Sequence, residues 1–206
     1  MTNIAIMYSN KSLLNEPSYT ASRLHVVILW IALALLLLPR PSFAMDMSYS
    51  NKNPFTGTIS PREGLILKGQ IIPGDYERLI KIIGNDPARF WRAHALILAS
   101  PGGDIEEAEK IANFVKSAYL PVFVGHIFGP CVSACFFIYV AAPMRLADPR
   151  TLGIHRPYID PSRMNALSPS QAEALQRKVL REARRYLEDL DVPTNLIDAM
   201  FQRASS

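Results

Sequence analysis

The sequence predicts an α/β domain built on a mainly parallel sheet, and three features predict it. Short, wholly apolar runs at residues 95–99 (ALILA) and 121–124 (PVFV) read as strands covered on both faces. Stretches with apolar residues at helical spacing lie between and after them. Strands that alternate with helices in this way pair in parallel through right-handed crossovers.

The chain has 206 residues, 49% of them hydrophobic, enough for one compact domain and an extension. In chain order, the first element is an address. Residues 26–38 (VVILWIALALLLL) are thirteen uncharged apolar residues, fewer than the about 20 a membrane-spanning helix needs. Arg23 precedes the run, Pro39 ends it, and Ser42-Phe43-Ala44 offers small residues where a signal peptidase cuts. Residues 1–44 are expected to be a signal peptide cleaved after Ala44; the alternative is an uncleaved anchor. Either sends the domain out of the cytoplasm, to the periplasm or the exterior. A membrane is a partner only if the segment stays attached, with the domain facing outward.

Residues 45–62 (MDMSYSNKNPFTGTISPR) are polar and contain Pro and Gly, so a linker is expected there and the folded domain over 63–206. Residues 65–71 predict a strand. Residues 73–83 predict a helix with Tyr76, Leu79, Ile80 and Ile83 on one face and Pro73 in its first turn. The covered strand at 95–99 leads to a helix over 104–118. Its Ile105, Ala108, Ile111, Ala112 and Val115 share one side, and Asp104, Glu106 and Glu107 suit the positive end of its dipole. After the strand at 121–124 come a short apolar helix (134–140) and short strands at 144–147 and 151–155. A long helix follows over 168–190, capped by Ser168 with Pro169 at its first position. Leu175, Val179, Ala183, Tyr186 and Leu190 form its apolar stripe. Asp191-Val192-Pro193 breaks it, and a last helix begins at Asn195.

The formal charge of +4 gathers largely on that long helix, at Arg177, Lys178, Arg181, Arg184 and Arg185, as a solvated face. No zinc-finger or RNA-binding signature is present, so no nucleic-acid partner is expected. No P-loop is present, and no cofactor is expected.

Three segments carry chemistry. Ser100-Pro101-Gly102-Gly103-Asp104 joins a covered strand to a helix start, where two glycines let the backbone turn sharply and aim amides outward. Gly129-Pro130-Cys131-Val132-Ser133-Ala134-Cys135 follows the next covered strand and opens an apolar helix. Its logic is that of a nucleophile elbow with Ser133 at the helix start, although it is not G-x-S-x-G; the rival reading makes Ser133 a helix cap. Gly153-Ile154-His155-Arg156-Pro157 ends a strand with a histidine, the side chain suited to serve as a base near neutral pH.

This order of motifs resembles the proteolytic subunit of Clp protease, and more distantly the signal-peptide peptidase A and crotonase proteins. The resemblance covers about residues 64–190 and includes Met144-Arg145-Leu146-Ala147, ahead of the histidine strand. It implies a stacked ββα superhelix with the long helix as a handle. It also implies Ser133 as nucleophile, His155 as base, and an oxyanion hole from the amides of Gly102 or Gly103 with Ala134. The family's acid lies downstream of the histidine, where Asp160, Asp189, Asp191 and Asp198 are available and Asp198 is the best positional match. The implied activity is ATP-independent cleavage of peptides or unfolded protein by a homo-oligomeric, exported serine hydrolase. The alternatives are a non-catalytic peptide-binding or scaffold protein of the same fold and an acyl-CoA enzyme of the crotonase kind. Cys131 and Cys135 are the only cysteines. They are read as a disulfide across the elbow or as two buried thiols, with a metal site (with His126 and His155) and a cysteine nucleophile as lesser rivals.

Overall fold

The computed structural model describes Trp30 and residues 44–93, 95–159 and 164–203. The chain divides into two compact units, Met1–Pro41 and Ser42–Ser206. The expected signal segment lies, apart from Trp30 and Ala44, outside the described residues. Ala44 already pairs with Gln70 in the second unit, and Met45 is buried in its core.

The segment expected to be a linker is not one. Asp46–Lys52 is strand β1, antiparallel to strand β2 (Ile59–Lys68) with Asp46 opposite Lys68 and Tyr49 opposite Leu65. Its inward residues Met45, Met47 and Tyr49 alternate with Asp46, Ser48 and Ser50, the period of a half-covered edge strand. Asn53 closes the hairpin, its side-chain oxygen accepting the amides of Phe55 and Thr56.

Beyond β1 the sheet is parallel. Strands β3 (Leu96–Ala99), β4 (Val122–Val124) and β6 (Arg145–Ala147) follow β2 in the order β1-β2-β3-β4-β6. A second, smaller parallel sheet pairs β5 (Cys131–Val132) with β7 (Leu152–Gly153). Single bridges extend it, Ser100 to Cys131 and Ile71 to Gly103. Each turn of the chain thus lays one strand in the large sheet and a short segment in the small one, then runs into a helix. These helices are α1 (Asp75–Asn85), α3 (Ile105–Ser117), α4 (Ala134–Ala141) and α5 (Pro169–Asp189). The architecture is the stacked ββα coil that the motif order implies.

Two short helices complete the unit, α2 (Pro87–Arg92) and α6 (Thr194–Gln202). Helix α1 starts two residues later than the sequence suggests, because Gly74 (φ 94°) forms its cap and leaves Pro73 outside. The buried carboxylate of Asp75 accepts the Ile72 amide there. Buried Glu107 of α3 accepts the amides of Gly74 and Tyr76, which fixes the entrance of α1 against α3.

Helix α4 (ACFFIYVA) is apolar on every side and is accordingly buried on nearly every side. Leu65, Leu67, Leu96, Leu98 and Ile111 meet Ile138 in one cluster. Phe136, Phe137 and Val140 meet Ala183, Leu187, Ile197 and Met200 of α5 and α6 in another. Ser168 caps α5 in a reciprocal box with Gln171.

Candidate active site

The three motifs converge at the edge of the small sheet. After β3, the Ser100 hydroxyl turns back on its own loop and accepts the Gly102 amide at 3.0 Å. Gly102 and Gly103 hold φ of 100° and 143°, a region that disfavours a side chain. A Cβ on Gly102 would lie 2.6 Å from the Ser133 Cβ, so only glycine lets the loop close on the elbow. Asp104 then caps α3, accepting the Glu107 amide at 2.9 Å.

The elbow is held strand by strand. The Cys131 amide donates to Thr151, that of Val132 to Ser100, and that of Ser133 to Gly153. Ser133 itself adopts φ 58°, ψ −125°, outside the ordinary basins of a residue with a side chain. Ser133 stands at the N-cap position of α4, as the rival reading has it, but its hydroxyl makes no capping bond there. A disulfide joins the wholly buried Cys131 and Cys135, Cα atoms 5.3 Å apart. That bond removes the readings as free thiols, as a cysteine nucleophile and as a metal set with His126 and His155. His126 instead meets the Asp148 carboxylate at 2.6 Å.

His155 lies just past β7, which is shorter than the expected strand. Its segment is tied down by the Arg156 amide on the Arg203 carbonyl and by the Gln176 side chain on the Pro157 carbonyl. Ser133, His155, Gly102 and Gly103 line one cavity of about 510 Å³. Ser133 and His155 share this wall without a hydrogen bond between them. The His155 Nδ1 lies 3.0 Å from the Arg156 carbonyl oxygen. A carbonyl only accepts, so Nδ1 carries the proton and Nε2 of the neutral ring keeps its lone pair.

Asp198 does not take the acid's place. Its carboxylate is 2.7 Å from Arg184, in an ion pair that fastens α6 to α5, and it does not line the cavity. Asp189 and Asp191 are exposed around the end of α5, and Asp160 lies outside the described residues. Among the described residues, the group that meets the His155 ring nitrogen is the Arg156 main-chain carbonyl, which no side-chain pattern announces.

The oxyanion assignment divides. The Gly102 amide is spent on Ser100, whereas the amides of Gly103 and Ala134 have no acceptor among the described residues. Ala134 gives the first amide of α4, where the helix dipole favours negative charge. Glu109 and Glu182 also line the cavity and were not singled out from the sequence. Glu109 lies one turn past Ile105 on a helix that opens at the glycine loop, which is a readable signal. Glu182, on a remote helix, has none. Burial, then Glu182 and Glu106, push the Glu109 carboxyl above the usual carboxylate range.

No family model and no curated protein matches the chain. The chain is similar to several solved structures. ClpP1 from Listeria monocytogenes matches at 16% identity and a TM-score of 0.47, over 69% of this chain and 80% of that one. A mutant of the 1510-N membrane-bound stomatin-specific protease matches at 21% identity and a TM-score of 0.38, over 61% of this chain and 59% of that one. An enoyl-CoA hydratase from Streptomyces coelicolor A3(2) matches at 18% identity and a TM-score of 0.35, over 55% of this chain and 48% of that one.

Proposed function

We propose that the chain is a serine hydrolase that cleaves peptides without ATP. Ser133 is its nucleophile, His155 its base, and the amides of Gly103 and Ala134 its oxyanion donors. The backbone of Ser133 carries the reading: a serine held at φ 58°, ψ −125° whose hydroxyl makes no capping bond and which lines the cavity shared with His155. Strain of this kind persists where the surrounding structure imposes it, and it gathers at functional sites.

The Ser133 Oγ attacks the scissile carbonyl while its proton passes to His155 Nε2. The carbonyl oxygen, now negative, meets the amides of Gly103 and Ala134, which are worth most in the transition state. His155 returns the proton to the leaving amine, and water releases the acyl group by the same steps in reverse. The Arg156 carbonyl keeps the ring in the reactive tautomer.

The proposal includes export as an oligomer. The apolar run at 26–38 with Ser42-Phe43-Ala44 supports export, and so does the disulfide, a bond that persists in oxidising compartments. Partly exposed Leu175 and Leu180 on α5, neither of which lines the cavity, support a contact between copies. The rest of the expected stripe is used within the domain, with Val179 on the cavity wall, Ala183 buried, and Tyr186 and Leu190 packed against the core.

A second reading, peptide binding without cleavage, is favoured by the missing Ser133–His155 hydrogen bond. A fluorophosphonate probe separates the two. Stoichiometric labelling at Ser133, absent in Ser133→Ala and slowed about 10²-fold or more in His155→Ala, supports catalysis. Folded protein that stays unlabelled supports the binder.

A further inference from the structure

We infer that the cavity seats a lysine or arginine side chain of the substrate peptide, held by Glu109 and Glu182. The inference rests on the peptidase reading only for the substrate being a peptide.

The cavity that exposes Ser133 is one-sided in charge. Asp104, Glu106 and Glu109 enter it from the start of α3 and Glu182 from α5, while no lysine or arginine among the described residues lines it. Two of these carboxylates have work elsewhere. Asp104 caps α3, and Glu106 stands exposed in its first turn, where the helix dipole favours it. Glu109 is different: it is half-buried, and among the described residues it has no hydrogen bond or ion pair. Glu182, itself exposed, is met among the described residues only by Lys178 Nζ at 3.8 Å, an exposed neighbour on its own helix that does not line the cavity. Lys110, the nearest cation on α3, is taken by Glu107.

A half-buried carboxylate close to two others, with no counter-ion among the described residues, is disfavoured in its charged form and gains from a ligand that brings the opposite charge. The remaining walls fit such a ligand. Ile105 and Val179 flank the two glutamates and offer apolar surface to the methylene stem that lysine and arginine share. A cationic head then gains charge-assisted hydrogen bonds from Glu109 and Glu182, beside the nucleophile. A norleucine side chain has the stem of lysine without its charge and leaves both carboxylates unmet.

The test is a binding measurement, so that it does not depend on catalysis. Full-length protein carrying Ser133→Ala is titrated with fluorescein-labelled decapeptide pools. The central residue is fixed as Lys, Arg, norleucine or Glu, the other positions are mixed, and anisotropy is the readout. The Lys and Arg pools are expected to bind at least about tenfold more tightly than the norleucine pool, and the Glu pool the most weakly. In Glu109→Gln/Glu182→Gln that preference is expected to collapse. In Glu173→Gln/Glu188→Gln, which removes two exposed carboxylates of α5, it is expected to persist. Equal binding of the Lys and norleucine pools, no binding of any pool, or a preference that survives Glu109→Gln/Glu182→Gln overturns the inference. Failure of the catalytic reading shows separately, as absent fluorophosphonate labelling of Ser133 in the unmodified chain.

Discussion

The Ser133 backbone and the Gly102 Cα occupy one steric problem. Gly102 sits at φ 100° with room for a hydrogen and nothing larger on the side of the elbow. Gly102→Ala is therefore expected to force the loop and the elbow apart, lowering stability by about 1–3 kcal/mol and fluorophosphonate labelling at least about tenfold. Gly84→Ala is the control: it lies within a helix with nothing near a new Cβ, and a stabilisation of about 0.5–1 kcal/mol is expected. Denaturant melts and labelling rates measured on both variants check the pair. At this scale the sequence was informative about side chains and silent about main chain. Ser133, His155 and the double glycine stand out by type and neighbours. The Arg156 carbonyl does not, because every residue has one, and Asp198 matches the acid by position in the chain alone, its partner being Arg184.

The element that presents Ser133 is a two-residue strand, a turn and the start of an apolar helix, and the Cys131–Cys135 bond spans it. Closing so short a loop removes little chain entropy, about 2 kcal/mol by the usual loop-length relation. Cys131→Ala/Cys135→Ala is expected to lose about that much in denaturant melts. Its larger effect is expected in labelling rate, since the bond holds both sides of a strained residue. A labelling rate equal to that of the parent protein would show that the three elbow hydrogen bonds suffice. Elements with dense local signals were legible: the apolar runs of β3 and β4, the alternating face of α3, and the Ser168-Pro169 start of α5. Strand β1 was not, because an edge strand needs only Met45, Met47 and Tyr49 inward and is otherwise as polar as a linker. Strand β5 was not either, since two residues inside a loop motif carry no periodicity.

Across the whole unit, the two apolar clusters share Ile105, Tyr139, Tyr186 and Leu190 at their margins, and α4 belongs to both. They should melt together. Leu98→Ala in one cluster and Leu187→Ala in the other are each expected to cost about 2–5 kcal/mol. Both should move a single denaturant transition, coincident by fluorescence and circular dichroism. Two separated transitions in Leu187→Ala would instead make the α5–α6 layer an independent unit. The coil of ββα turns also sets an order in time. Synthesis runs from the amino end, so the glycine loop and the serine belong to turns made before the imidazole has emerged. A nascent chain halted ahead of the fourth turn would also lack the Thr151 and Gly153 carbonyls that pin the elbow, so the serine is set in its final geometry only as the segment bearing the imidazole arrives.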